Sequence, residues 1–141
     1  MGQLPFEITV LTLLAVLAAS MWIPFIVGVN TVPEGSLPES RPDGFTIPGD
    51  WRLHRPWVQR AYRAHQNLLE QLLPFGLLVL ILDSVDGFNV VTGWTAAVFL
   101  GLRLAHAVGY ITGTLVFPAR PMVFSAGWIC CLVMAGAVAL A

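Results

Sequence analysis

Four long apolar stretches alternate with short polar ones along this chain, and each is long enough to cross a bilayer as a helix, for which roughly 20 residues suffice. The pattern predicts spans at about residues 6–29, 57–82, 90–115 and 121–141. In the first, only Glu7, Thr9, Thr12 and Ser20 interrupt the apolar run, and Pro24 predicts a kink. No basic residue precedes that run, so a retained span is expected rather than a cleaved leader. Between the first two spans, residues 30–56 carry Pro33, Pro38, Pro42, Pro48 and Pro56 with Gly35, Gly44 and Gly49. Such a composition disfavours both helix and strand and predicts a long surface loop, with Trp51 and Trp57 as interfacial anchors near its exit. Asp83, Asp86, Gly87 and Asn89 form a short acidic turn between spans two and three, and Phe117 to Pro121 a two-proline turn before span four.

The second and third spans break the apolar pattern in an ordered way. Arg60, Arg63, Asn67, Glu70 and Pro74 recur at helical spacing and share one face, and Arg103, His106 and Tyr110 do the same on the next span. If the two helices are antiparallel neighbours about the acidic turn, Glu70 lies level with Arg103, Asn67 near His106 and Arg63 near Tyr110. An ion pair between Glu70 and Arg103 is therefore expected in the middle of the membrane. A charged group at a helix centre costs roughly 2.5–3.5 kcal/mol on insertion scales, so these groups are expected to face a protein interior or a wet cavity.

Composition supports this reading. With 57% hydrophobic and 11% charged residues and a mean hydropathy of +0.77, the chain is far more apolar than a soluble domain, which carries about 25% charged residues. The fold class predicted is all-α, an integral-membrane four-helix bundle forming a single membrane domain over residues 1–141. Net charge is −1 and all seven basic residues are arginine, without a basic tail or patch, so no nucleic-acid partner is expected. Arg41, Arg52 and Arg55 in the first loop and Arg120 in the third predict that loop 30–56 and the third loop are cytoplasmic and that both termini lie outside. Cys130 and Cys131 are adjacent within an apolar run and read as small buried hydrophobes rather than a disulfide. No metal motif, phosphate loop or Ser-His-Asp pattern is present, and no metal ligand set is expected.

Charge counting points to a ligand. Arg60, Arg63, Arg103 and Arg120 all belong to one half of the bundle, where Glu70 is the lone acid. A surplus of forked guanidinium donors suits a carboxylate- or phosphate-bearing molecule. Arg60 and Arg120 could instead snorkel to lipid headgroups, and a histidine pair such as His65 and His106 could ligate haem if the two faced one another across a gap.

The string Arg60, Arg63-Ala64-His65, Asn67, Glu70 and Pro74-Phe75 resembles the signature opening the second helix of the MAPEG family, the membrane-associated proteins of eicosanoid and glutathione metabolism. Within that family the pattern is closest to the microsomal glutathione transferases. The resemblance continues through Arg103, His106, Tyr110 and Arg120 and covers residues 58–128. It implies a homotrimer of four-helix protomers in membrane lipid, with glutathione held between subunits on the cytoplasmic side. By the same resemblance Arg63, Asn67, Glu70, Arg103 and Tyr110 contact glutathione, and Arg120 lies near its thiol; His106 joins the set because it shares the polar stripe. Where several members have a basic residue after the first span, this chain has Asn30 and Thr31. The prostaglandin-synthesising branch has a serine at the place of Pro121 and an arginine at that of Gln66, so that branch of activity is not expected.

The chemistry follows from glutathione itself. Arginines suit its two carboxylates, and a thiol pKa of about 8.5 falls beside a cation; a drop of two units needs roughly 2.7 kcal/mol. The expected activity is addition of the glutathione thiolate, or a peroxidase-type reaction, on a lipophilic electrophile arriving through lipid, with Arg120 as the catalytic cation. The alternative is a non-catalytic scaffold or accessory subunit of the same family, whose polar stripe is structural or holds lipid.

Overall fold

A computed structural model describes residues 4–31 and 54–141. The greater part of the expected cytoplasmic loop, with Trp51, Arg41 and Arg52, lies outside the described residues. Among the described residues five helices build four spans: α1 (Phe6–Ser20) and α2 (Trp22–Asn30) together make the first, and α3 (Pro56–Ser84), α4 (Val90–Thr112) and α5 (Ala119–Leu140) make one each. The spans are 25, 29, 23 and 22 residues long, and all are apolar enough to cross a membrane.

The first span breaks at Met21 rather than at Pro24 itself. Proline has no N–H to give the carbonyl of Ser20, so the irregular turn falls one helical turn upstream of the ring. The Met21 amide bridges the break by donating to the Leu17 carbonyl at 2.9 Å. The third span ends at Thr112, three residues short of the expected 115, because Gly113 turns the chain in the left-handed region at φ 81°.

Burial on each helix is one-sided although apolar residues occupy its outer face as well. On α3 the buried face is Val58, Ala61, Ala64, Leu68, Gln71, Phe75, Val79 and Leu82. Phe75 stacks on Phe99 of α4 with ring centroids 3.9 Å apart and planes 2° from parallel, in a core shared with Val10, Leu14, Val79, Leu82 and Met134. Cys130 and Cys131 are free and belong to this core. Residues such as Leu73, Leu77 and Leu80 point away from it, as hydrocarbon-facing residues do.

One polar latch sits at the far end of the bundle from loop 30–56. Asn89 caps α4: its Oδ1 accepts from the amides of Val91 and Thr92, at 2.9 and 3.2 Å, and Thr92 Oγ1 accepts from the Asn89 amide at 2.8 Å. Thr92 Oγ1 also lies 2.5 Å from Oε1 of Glu7, a carboxyl only 5% exposed on α1. Glu7, which the sequence pattern marks only as an interruption, thus ties α1 to the start of α4. Thr92→Val keeps the shape but leaves Glu7 without this partner. It is expected to destabilise the detergent-purified protein by about 1–3 kcal/mol, read as a lowered melting temperature that Thr92→Ser restores.

Candidate functional site

The start of α3, the end of α4 and the start of α5 meet at one end of the bundle around a cavity of about 900 Å³. Its polar wall is Arg60 and Asn67 from α3, His106 and Tyr110 from α4, and Arg120 and Ser125 from α5. Its apolar wall is Leu115, Val116, Phe117, Pro121 and Phe124. The two arginines face no carboxylate among the lining residues. The polar side chains form a stack: the His106 and Tyr110 rings lie 5.3 Å apart and 23° from parallel, and Arg120 Cζ sits 4.3 Å over the Tyr110 ring. A guanidinium over a phenol face is held by the ring quadrupole, which fixes where its charge points.

Arg60 is partly committed to the fold. Its Nε donates to the Ile111 carbonyl at 3.1 Å, at the end of α4 where the helix dipole favours a cation. The guanidinium lies so close to Gly113 that a Cβ there would come within 3.2 Å of Cζ. Arg55, just outside α3, similarly holds the end of α2 through the carbonyls of Gly28 and Thr31, at 3.3 and 3.2 Å.

The expected ion pair between Glu70 and Arg103 is not formed. Arg103 is 1% exposed and sealed among α3, α4 and α5, where Nη2 donates to the Val123 carbonyl at 3.0 Å and Cζ lies 5.3 Å from the Phe99 ring. Its Nε and Nη1 meet no hydrogen-bond acceptor among the described residues. Its side-chain neighbour from α3 is Gln71, whose Nε2 donates to the Phe124 carbonyl at 3.0 Å beside the Gly127 backbone. The expected depth is right to one residue, but a helix turns about 100° per residue, so Gln71 faces inward and Glu70 outward. Arg63 and Glu70 are both exposed on the outer face of the protomer. Asn67, His106, Tyr110 and Arg120 are therefore the expected site residues that the fold brings together; Arg63, Glu70 and Arg103 do not line the cavity.

Three contributors escaped the sequence pattern. Gln71 is buried at 5% exposure in register with Leu68, Phe75 and Val79, and a polar residue on an otherwise apolar helical stripe is the signal that could have found it. Gly127 is buried where Gln71 and Arg103 cross α5, and Ser125 opens onto the cavity. Neither carries a local signal, since small residues are common in membrane helices.

Four bilayer-length helices with a basic cavity at one end define a polytopic membrane protein. The MAPEG family profile matches residues 9–140, and the chain belongs to the MAPEG family. Among curated proteins, prostaglandin E synthase of Homo sapiens is 37% identical over 81 residues, which are 57% of this chain and 52% of that protein. The match spans about half the length of that relative. The motif pattern alone points to the microsomal glutathione transferases, whereas this relative bears the name of another branch.

Proposed function

We propose that this protein is a membrane-bound glutathione-dependent enzyme that adds the glutathione thiolate to a lipophilic electrophile, working as a homotrimer. The observation that carries the reading is the cavity: about 900 Å³, with Arg60 and Arg120 on its wall and no acidic residue lining it to neutralise them. Ligand cavities commonly measure about 300–1,000 Å³, and paired guanidinium groups suit a dicarboxylate. Asn67, His106 and Tyr110 supply further hydrogen-bonding groups on the same wall. Arg120, held over Tyr110, is the cation assigned to the thiolate. The apolar wall of Val116, Phe117 and Phe124 receives the electrophile from the lipid side.

An exposed charge supports assembly. Glu70 lies, with Arg63, on the outer face of a membrane helix, where contact with hydrocarbon would cost the carboxylate roughly 2.5–3.5 kcal/mol. A neighbouring copy covering that face removes the cost and brings both residues, with their glutathione-binding role, to a subunit boundary. A cytoplasmic opening and termini on the opposite side complete the proposed topology.

The test uses the purified full chain in detergent micelles. Glutathione consumption with a generic aryl halide, glutathione binding by calorimetry and a trimeric mass by light scattering are expected. Absence of both turnover and binding sinks the enzyme reading and leaves the scaffold. The 37% identity to prostaglandin E synthase favours a second reading, in which the electrophile is a lipid endoperoxide. Isomerisation of a prostaglandin endoperoxide in the presence of glutathione, without net glutathione consumption, would select it.

A further inference from the structure

A hydroxyl in a membrane helix usually satisfies itself by donating to its own backbone three or four residues back. Thr9, Thr12, Ser20, Ser84, Thr95 and Thr112 all do so, at 2.7–3.2 Å. Thr31 back-bonds likewise at 2.7 Å, and Thr92 and Thr114 have partners of their own. Ser125 is the exception among the serines and threonines of the described residues: it lies on α5, makes no hydrogen bond, and lines the cavity next to Phe124 and one helical turn beyond Pro121. Ser125 is exposed on the described protomer. It shares the wall with Arg120 and Tyr110 and borders the apolar surface of Val116, Phe117 and Phe124.

We infer that Ser125 is a specificity-determining residue that hydrogen-bonds an oxygen carried at the reacting carbon of the lipophilic substrate. The inference rests on the proposed glutathione chemistry. It sets a preference within the substrate class for electrophiles with oxygen at the reacting carbon, such as epoxides, over alkyl or aryl halides.

For an epoxide the step balances without any further reagent. The thiolate sulfur attacks one ring carbon, the carbon–sulfur bond forms, the carbon–oxygen bond breaks, and its electron pair stays on oxygen. The oxygen then takes up one proton, equal to the one the thiol released on ionising. A hydroxyl donor aimed at that oxygen binds more strongly as negative charge grows there, so its effect falls on the transition state. An unpaired donor also discriminates against a substrate lacking the acceptor.

Styrene oxide and benzyl chloride test this, because they share an aromatic ring and differ in bearing or lacking oxygen at the reacting carbon. With wild-type protein and glutathione in micelles, both are expected to react. Ser125→Ala is expected to lower kcat/KM for styrene oxide about tenfold and leave benzyl chloride within about twofold, with Ser125→Thr close to wild type. Equal losses on both substrates, or no loss on either, would overturn the inference. A second readout needs no turnover: the infrared carbonyl band of bound acetophenone is expected to lie at lower frequency in wild type than in Ser125→Ala. Identical bands overturn the inference even where catalysis is absent. If wild type turns over neither electrophile, the enzyme reading fails separately, and the carbonyl band alone decides whether Ser125 contacts a ligand.

Discussion

Gly127→Ala is expected to lower the stability of the purified protein by about 1–3 kcal/mol, and Gly127→Val to prevent recovery of folded material, through overpacking of a filled core. A Cβ at this position would overlap both Gln71 Oε1 and the Arg103 guanidinium. These are flexible side-chain ends, but neither is free to withdraw. Gln71 donates to the Phe124 carbonyl at 3.0 Å and Arg103 to the Val123 carbonyl at 3.0 Å, and both side chains are buried. Moving either one strips a buried donor of its acceptor, which adds to the steric cost. Gly136→Ala is the control: a Cβ there meets nothing within 4 Å, and alanine favours the helix over glycine by about 1 kcal/mol. Thermal denaturation in one detergent should therefore separate the two substitutions in sign. Equal melting temperatures would show that α5 does not pack against Gln71 and Arg103 as described.

Arg120→Ala carries the largest expected effect on chemistry. With the guanidinium in place, the bound glutathione thiol is expected to ionise about two units below its ordinary pKa of about 8.5. At pH 7 roughly three-quarters of bound glutathione is then thiolate, against about 3% once the cation is removed. The pH midpoint of thiolate formation, followed by ultraviolet absorbance on bound glutathione, is expected to rise by about two units, with binding affinity nearly unchanged. The turnover loss at neutral pH will be smaller than the ionisation change, because a less acidic thiol gives a more nucleophilic thiolate. Arg63→Ala is expected to show the reverse pattern, weaker glutathione binding with the midpoint in place. Arg120→Lys keeps the charge but loses the flat contact with Tyr110, now 4.3 Å from Cζ to the ring, and is expected to fall between. If both alanine variants bind and ionise glutathione as wild type does, the thiol lies elsewhere.

Much of the architecture was legible because a bilayer imposes its own length scale. Apolar runs of 22 to 29 residues, bounded by proline-rich or acidic segments, have few ways to fold other than as crossing helices. The polar stripes on α3 and α4 were legible for the same reason: Arg63, Asn67, Glu70, His106 and Tyr110 are conspicuous against an apolar background. The direction of the α3 stripe was not. Pairing Glu70 with Arg103 assumed that the polar face of α3 meets α4, whereas the facing surface is the apolar stripe containing Gln71. In a membrane the apolar surround exerts little preference between burying a leucine and leaving it in lipid, so hydrophobic periodicity alone does not choose the inward face. Close packing chooses it, through Ala61, Ala64 and the Phe75 stack on Phe99.

The sequence by itself determined the class: four spans, a basic half, a deficit of acids there, and the motif that marks the family. Those properties depend on composition and on spacing along one helix, which local chemistry sets. Tertiary structure decided which of the arginines are available. It sealed Arg103 against the α5 backbone, assigned Arg60 in part to the end of α4, and left Arg120 over Tyr110 at the cavity wall. It also left Ser125 without a partner beside that wall. Each outcome turns on how three helices rotate and pack against one another, a property of side chains distant in sequence and close only in the fold.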